Sequence, residues 1–546
     1  MQPYPLTLGD GALTLDALDA YLGRPLRITL APAGLQRVQR GRAWVETLVA
    51  RGEAVYGINT GFGPLKNQRI SADQLDALQE NLLLSHAVGV GPPTPPEIVR
   101  WMLLLKLHML LYGHSGVRPE IVQRLADWLN VDLLPVVPTR GSLGASGDLA
   151  PLAHLFLPLI GRGRMSAGPA LERARPAAAV LAEHGLAPLR LAAKEGLALI
   201  NGTQFMAAYA ANIAVRARRL ADLADLIVCM SLEGLRGSVQ PADERLHQLR
   251  PHPGAQTVAA NIRRHMLDSE ILKSHAHCDR VQDPYSLRCA PQVHGAFRDA
   301  LTHFCQVVER ELNSVTDNPI LFEEGEHRPL AGAAGGPVSR SEAVASRQET
   351  HGLASPDHAA PSVQAISGGN FHGQPLAFVL DYLAIALTDL AGISERRVYL
   401  LLSGEDGLPK LLMRDTGLNS GFMLPQYTAA ALVNECKVLA TPASVDSIPT
   451  SLGQEDHVSM GGTAALKCYE VLDRAETVLA IELMCAAQAI DYRDPLRPGV
   501  GPRAAREILR RHIPHAEQDR EFGEDIHTAL RLLREDERLR QIARAP

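Results

Sequence analysis

Five leucines recur at alternating spacings of four and three residues in the stretch that follows Pro375. They are Leu376, Leu380, Leu383, Leu387 and Leu390. An α-helix brings residues three and four apart onto one face, so this spacing predicts a helix with a continuous apolar stripe that begins near Pro375. A regular 4-3-4-3 alternation is typical of long helices packed side by side at a shallow angle.

Two further segments predict helices for the same bundle. Apolar residues step by three and four from Phe297 to Leu312, and this helix is expected to stop near Asn318-Pro319. The stretch "AETVLAIELMCAAQAID" is a second long apolar helix. The first part of the chain instead alternates short apolar runs with Gly and Pro, with a strand in "LRITLAPAG" and a helix that opens after Pro95-Pro96 and ends near Gly113.

The predicted fold class is therefore mainly α, with a long central helical bundle and a smaller mixed N-terminal region. We place the boundary between residues 1–199 and 200–546. Residues 323–360 differ, because they are rich in Gly, Ala, Ser, Pro and charge and have almost no large apolar side chains. Such a composition predicts a mobile insertion.

Composition excludes several classes of protein. The 546 residues carry a net charge of −6, which provides no basic field for nucleic acid or for an anionic membrane. We expect no apolar run of membrane-spanning length and no signal peptide at the N-terminus. The seven cysteines are scattered and odd in number, which favours a reducing, cytoplasmic location.

The stretch "GSLGASGDLAPLAHL", residues 141–155, surrounds one serine with residues that have almost no side chain. It could be a glycine turn in which Asp148 caps a helix that tolerates Pro151 in its first turn. It could also be an anion site at a helix N-terminus, although the lysine of a phosphate-binding loop is absent.

A third interpretation makes the backbone itself the reagent. Glycine at position 147 permits a positive φ and leaves its amide nitrogen unhindered. Attack of that nitrogen on the Ala145 carbonyl carbon, with loss of water, would close a five-membered ring. Loss of the Ser146 hydroxyl would then leave an exocyclic methylidene, an electrophile that the ordinary side chains lack.

Eight other motifs occur in a specific order along the chain. They are "VYGINTGFG" (Val55–Gly63), "LLLSHAVGVG" (Leu82–Gly91), "INGTQ" (Ile200–Gln204), "RVQDPYSLRC" (Arg280–Cys289), "TDNPILF" (Thr316–Phe322), "SGGNFHGQP" (Ser367–Pro375), "ASVDSIPTS" (Ala443–Ser451) and "GQEDHVSM" (Gly453–Met460). Together with Ala145-Ser146-Gly147, they resemble the aromatic amino acid ammonia-lyases. The resemblance extends from about residue 50 to about residue 490, and the long segment 323–360 departs from it.

The resemblance implies a chemistry and an assembly. Ala145, Ser146 and Gly147 would form 4-methylidene-imidazol-5-one (MIO) autocatalytically, so no external cofactor and no metal are expected. The enzyme would eliminate ammonia from an α-amino acid. Homotetramers with active sites shared between chains are implied as well.

The resemblance also assigns site residues. Tyr56 would be the base at the β-carbon, and Asn201 and Tyr285 would hold the substrate amine and polarise the MIO group. Arg288 would bind the substrate carboxylate as a bidentate fork, a geometry that lysine cannot copy. Gln282 would support it by hydrogen bonding, and Phe371 would lie beside the prosthetic group.

His86 and Glu455 bear on the substrate ring. Ser85-His86 and Glu455 resemble the histidine-specific members, because a carboxylate can accept a hydrogen bond from an imidazole N–H. A benzene ring would leave that carboxylate without a partner. The sequence thus favours L-histidine and trans-urocanate, with a tyrosine or phenylalanine ammonia-lyase or a 2,3-aminomutase as the alternative.

Two hypotheses of other classes remain open at this point. One is a metalloenzyme that uses the residue types in "HAHCD", namely His275, His277, Cys278 and Asp279, although their spacing is not that of a closed zinc site. The other is a noncatalytic helical scaffold that kept the fold and lost the chemistry.

Overall fold

A computed structural model describes residues 2–52, 55–61, 63, 70–71, 74–323 and 363–544. Apart from Glu323, the predicted insertion at 323–360 lies outside these described residues. The described helices are α1 (Leu15–Tyr21), α2 (Pro32–Arg51), α3 (Leu75–His86), α4 (Pro96–Leu110), α5 (Pro119–Asn130), α6 (Leu149–Phe156), α7 (Ala177–Glu183), α8 (Glu195–Ile200), α9 (Gln204–Gly234), α10 (Glu244–Leu249), α11 (Pro253–His265), α12 (Glu270–Ser274), α13 (Tyr285–Arg288), α14 (Ala290–Leu312), α15 (Gln374–Leu401), α16 (Met423–Leu439), α17 (Gly461–Asp491), α18 (Val500–Arg510), α19 (Phe522–Glu535) and α20 (Glu537–Arg544).

The described strands are short. They are β1 (Tyr4–Leu8), β2 (Leu26–Leu30), β3 (Val90–Pro93), β4 (Leu133–Pro135), β5 (Pro138–Arg140), β6 (Arg164–Ala167), β7 (Arg175–Pro176), β8 (Ile320–Glu323) and β9 (Val363–Ile366). β1 pairs with β2 in parallel, whereas β3–β5, β4–β6–β7 and β8–β9 are antiparallel. The predicted mainly α class, with a smaller mixed N-terminal region, is confirmed. The division at residue 199 stays a prediction.

Four long helices, α9, α14, α15 and α17, form the centre of the bundle. α15 packs against both α14 and α17, and α9 packs against α17 and α14. All five leucines of the predicted stripe on α15 are buried. The spacing therefore predicted both the helix and the face that it buries, because burial of that stripe is what stabilises it.

Two expectations about these helices were wrong. α14 ends at Leu312, well before Asn318-Pro319, and the Asn313 side chain donates to the main-chain carbonyls of Glu309 and Leu13 at 2.8 and 2.9 Å. These side-chain bonds compete with a further helical turn. α15 is also long and apolar enough to cross a membrane, contrary to our expectation. Its packing between α14 and α17 identifies it as a core helix of the bundle.

Candidate active site

A cavity of about 1280 Å³ opens where the N-terminal region meets the start of α15. Seven of the eleven site residues predicted from the sequence line it. They are Tyr56, His86, Ala145, Ser146, Asn201, Phe371 and Glu455. Tyr56 lies in a loop before α3, His86 ends α3, and Phe371 precedes α15. The fold thus gathers side chains that are up to 399 residues apart in sequence, from Tyr56 to Glu455.

The loop that carries Ser146 contains two glycines with left-handed backbone. Gly144 and Gly147 adopt positive φ values of +69° and +73°, a region that favours glycine. A Cβ atom at Gly147 would lie 2.1 Å from the Gly202 carbonyl oxygen. Gly147 and Gly202 form a parallel bridge, and the Asp148 amide donates to that same carbonyl at 2.7 Å. The positive φ expected at Gly147 is therefore confirmed, and it allows a close approach of two main-chain segments.

Asp148 does not act as the glycine-turn interpretation expected. It stands at the N-cap position of α6, but its carboxylate makes no capping hydrogen bond. The carboxylate instead accepts from the Ser142 hydroxyl at 2.7 Å and from the Met206 amide at 3.0 Å. Burial raises the pKa of Asp148 to about 7. Its side chain thus links the serine loop to the start of α9.

Asn201 holds the serine loop from the opposite side. Its Nδ2 donates to the Ser146 carbonyl oxygen at 2.8 Å. Its Oδ1 is buried and has no hydrogen-bond partner among the described residues. A buried amide oxygen without a donor is costly, and it marks a place where a further N–H group would be stabilised.

The two carboxylate oxygens of Glu455 have different hydrogen-bond partners on the cavity wall. Oε1 accepts from the Ser146 hydroxyl at 2.7 Å. Oε2 accepts from the hydroxyls of Thr450 and Ser451 at 2.8 and 3.0 Å. One oxygen is therefore held by its own loop, while the other faces the serine that the sequence singled out.

Glu455 also acts electrostatically on Tyr56 and His86. Burial, and then the Glu455 charge, raise the pKa of Tyr56, although the Gly63 amide donates to its oxygen at 3.4 Å and opposes the shift. Burial lowers the pKa of His86 against the smaller opposing effects of the Leu82 carbonyl and of Glu455. The Ser85 hydroxyl lies 3.0 Å from His86 Nδ1. Glu455 therefore lies within electrostatic reach of both Tyr56 and His86.

Gln282, Tyr285 and Arg288 do not line this cavity. The Ser286 carbonyl of α13 accepts from Arg397 Nη1 at 3.3 Å, near the far end of α15. At 1.5 Å per residue, the 23 residues from Gln374 to Arg397 span about 35 Å. Tyr285 is 70% exposed, and the Arg288 guanidinium lies over its ring, 4.5 Å from the centroid. Within one chain, these three residues are therefore remote from Ser146.

Sequence reasoning missed two histidines that line the cavity. The rings of His372 and His457 are stacked with their centroids 6.0 Å apart and their planes 3° from parallel. His372 Nε2 lies 3.3 Å from the His457 carbonyl oxygen. Both residues belong to motifs that carried the resemblance, so their position inside "SGGNFHGQP" and "GQEDHVSM" was the available signal.

The residues proposed for a metal site do not form one. His275 is buried, with Nδ1 2.7 Å from the Ile271 carbonyl and Nε2 3.3 Å from the Gly237 carbonyl. His277, Cys278 and Asp279 are exposed. Among the described residues, no group of three or more His, Cys, Asp or Glu side chains could hold a metal ion. The metalloenzyme hypothesis is wrong for these four residues, because both imidazole nitrogens of the buried His275 already lie within hydrogen-bond distance of backbone carbonyls.

Known proteins share both this sequence and this fold. The family described as aromatic amino acid lyase matches residues 13–511. A histidine ammonia-lyase of Gloeobacter violaceus is 50% identical over 97% of this chain and 95% of its own length, and one of Myxococcus xanthus is 46% identical over 99% of both.

Solved structures agree with these matches. The histidine ammonia-lyase of Trypanosoma cruzi aligns with a TM-score of 0.84 at 39% identity, over 99% of this chain and 95% of that one. The tyrosine aminomutase of Streptomyces globisporus aligns with a TM-score of 0.86 at 34% identity, over 99% of both chains. The chain belongs to the aromatic amino acid lyase family and is an ammonia-lyase.

Proposed function

We propose that this enzyme eliminates ammonia from L-histidine and releases trans-urocanate. In this reaction the bond between Cα and the amine breaks, a proton leaves Cβ, and a double bond forms between the two carbons. The observation that carries the substrate assignment is the position of Glu455 and His86 on the wall of the cavity that holds Ser146. An imidazole ring offers polar partners to both groups, whereas a benzene ring leaves them unpaired.

We further propose that Ala145, Ser146 and Gly147 cyclise to the MIO group. The residues present fit this group, because Gly147 has the positive φ and the crowded surroundings that exclude a side chain. The unpartnered Oδ1 of Asn201 and its Nδ2 bond to the Ser146 carbonyl would hold the ring. Once formed, the group supplies an electrophile that makes the amine a better leaving group.

Glu455 connects ring formation to substrate binding. The Ser146 hydroxyl that donates to Glu455 Oε1 is the group that leaves as water when the methylidene forms. Oε1 then loses this donor, while Oε2 keeps Thr450 and Ser451. A carboxylate held in this way is ready to accept a new hydrogen bond, and an imidazole N–H is the donor that L-histidine brings.

The active site is completed, we propose, by a second copy of the chain. Gln282, Tyr285 and Arg288 carry the remaining predicted roles, yet α13 lies about 35 Å along α15 from the cavity. The α13 region presents Tyr285 and the 94% exposed Val281 to solvent. α15 and α16 also expose large apolar side chains, namely Phe378, Tyr382, Ile385, Leu424, Tyr427 and Val438. These surfaces support a shared-site homotetramer.

In this assembled site, each predicted residue has a role. Tyr56 takes the β-proton, and burial beside Glu455 keeps its phenol protonated until a cation or the substrate ammonium is brought near. Asn201 and the partner's Tyr285 bind the amine, the partner's Arg288 and Gln282 bind the carboxylate, and Phe371 packs beside the tripeptide. We propose that the enzyme is cytoplasmic, because its seven scattered cysteines favour a reducing location.

The proposed substrate is tested by incubating the purified enzyme with L-histidine, L-phenylalanine or L-tyrosine and measuring ammonia and the conjugated acrylate together. Intact-mass measurement of the same sample should show a deficit of two water molecules, and Ser146→Ala should show no methylidene and almost no turnover. Faster release of cinnamate or coumarate than of urocanate would overturn the histidine assignment. A β-amino acid as main product would support the aminomutase alternative, which the likeness to tyrosine aminomutase keeps in view.

A further inference from the structure

Lys106 is a fully buried lysine directly behind the Asn201 main chain. It lies on α4, where its neighbours in sequence, Leu105 and Leu107, are buried as well. Its ammonium donates to the Asn201 carbonyl at 2.7 Å and to the Ala198 carbonyl at 3.0 Å. The predicted catalytic set does not include this residue.

The two carbonyls that Lys106 binds lie at the C-terminal end of α8. This helix ends at Ile200, and Asn201 has already turned to extended backbone with φ −84° and ψ 127°. Carbonyls in the last turn of a helix have no intrahelical donor, and a cation there is favoured by the helix dipole. Lys106 therefore fixes the point at which the chain leaves α8 and enters the site.

From that point, the chain makes two contacts with the serine loop. The Asn201 side chain donates to the Ser146 carbonyl at 2.8 Å, and the Gly202 carbonyl accepts from the Asp148 amide at 2.7 Å. A displacement of the Asn201 main chain would move both contacts. Asn201 thus contacts both Lys106 and the tripeptide that is proposed to react.

The packing of α4 does not require a cation at this position. Burial lowers the pKa of Lys106 to about 7, opposed by Asp317 and Asp148 and reinforced by Lys194. Taking an ammonium out of water is costly, and an apolar side chain of similar size often stabilises such a position. The presence of a lysine at this position is therefore best explained by what its amino group holds.

We propose that Lys106 is a positioning residue for the elimination reaction, whose ammonium holds the Asn201 main chain so that the Asn201 amide stays on the Ser146 carbonyl. This inference rests on the proposed function, because it assigns Lys106 a role in forming and using the ring at Ala145-Ser146-Gly147. Replacement of Lys106 should therefore affect ring formation or turnover more than it affects global stability.

The test compares Lys106→Met with Lys194→Met in the full-length enzyme. Lys194 is equally buried and stands at the other end of α8, but its ammonium pairs with the Asp317 carboxylate at 2.8 Å instead of with the Asn201 main chain. The measurements are the fraction of chains with the two-water mass deficit, kcat per ring-bearing chain, KM and Tm. Lys106→Leu, which also lacks an N–H donor, replaces Lys106→Met if the latter does not fold.

Lys106→Met should lower either the ring-bearing fraction or kcat per ring-bearing chain by about 10- to 100-fold, because small displacements of reacting groups have effects of this size. Lys194→Met should lower Tm with a much smaller effect on both quantities. Parent-like values in folded Lys106 variants would overturn the inference, as would equal losses in both lysine variants. Failure of the proposed function is distinguishable, since the parent enzyme itself would then lack the mass deficit or the histidine turnover.

Discussion

The Ser146 hydroxyl donates to Glu455 Oε1 at 2.7 Å, although 309 residues separate the two in sequence. This contact brings the predicted electrophile and the predicted ring-binding carboxylate to one point of the cavity. It makes Glu455 the residue at which the proposed ring formation and the proposed substrate selectivity meet.

Replacement of Glu455 should therefore change selectivity. We expect Glu455→Gln to lower kcat/KM for L-histidine about 10- to 150-fold, the value of one charge-assisted hydrogen bond. The matched control is Asp456→Asn, since Asp456 also lines the cavity and is exposed. Steady-state kinetics with L-histidine and L-phenylalanine measure the effect, and a parent-like preference in Glu455→Gln would contradict it.

The backbone at Gly147 should be intolerant of any side chain. Gly147→Ala places a Cβ 2.1 Å from the Gly202 carbonyl oxygen at a φ of +73°, so we expect loss of the two-water mass deficit and of activity. Gly168→Ala is the control, because its φ is +85° and no atom lies within 4 Å of the added Cβ. Both changes introduce the same backbone strain of about 1 kcal/mol or more, so the control separates strain from the clash. Equal mass deficits in the two variants would refute this account.

Arg288 should act on the cavity of another copy. Arg288→Lys should impair binding and rate together, because a lysine keeps the charge and loses the bidentate fork. Co-expression of Arg288→Ala with Tyr56→Phe chains should restore about a quarter of the parent activity, since random assembly gives that share of sites with both native residues. Each variant expressed alone provides the control, and a mixture no more active than its components would place both residues in one chain's site.

The segment predicted as an insertion should be removable. Glu323 and Val363 are paired residues at the open end of the β8–β9 ladder, so the described ends of the segment already meet. We expect excision of Arg328–Asp357, closed by a short Gly/Ser linker, to keep activity and to change the free energy of unfolding by about 1 kcal/mol or less. Size-exclusion chromatography and histidine turnover measure this. Dissociation of the oligomer would instead identify the segment as an assembly element.

Stability should depend on pH through Glu233, far from the cavity. This buried carboxylate accepts from the Gly499 amide at 2.7 Å and the Ser269 hydroxyl at 3.0 Å, and burial raises its pKa from 4.5 to about 7. The folded chain binds this proton more tightly than the unfolded chain, so its stabilising contribution is complete below about pH 4.5 and is lost as the pH rises to about 7.

Glu233→Gln cannot ionise and should therefore be more stable than the parent at pH 8, by up to about 3 kcal/mol, with little difference at pH 4.5. The amide can still accept from Gly499 and can donate to Ser269. Urea unfolding at the two pH values measures the difference, and a difference that does not vary with pH would contradict the assignment.

Much of the architecture was predictable because its signals are local. The leucine stripe of α15 and the apolar steps of α14 are periodic within one helix, and the periodicity specifies the buried face. Gly147 was predictable for a similar reason, since a glycine beside one isolated serine indicates a backbone constraint. Seven of the eleven site residues line one cavity, and the ordered motifs rather than any spacing pointed to them.

Other features depend on contacts that no local pattern encodes. The Asp148 carboxylate bonds Ser142 and Met206 instead of capping α6, because α9 packs against its loop. Lys106 lies within a run of buried apolar residues, and its partners are main-chain carbonyls, which look alike in every sequence. The separation of α13 from the cavity follows from the length of α15. Periodicity along the chain determines which helices form and which faces they bury, whereas the meeting of residues hundreds of positions apart is set by how those helices pack.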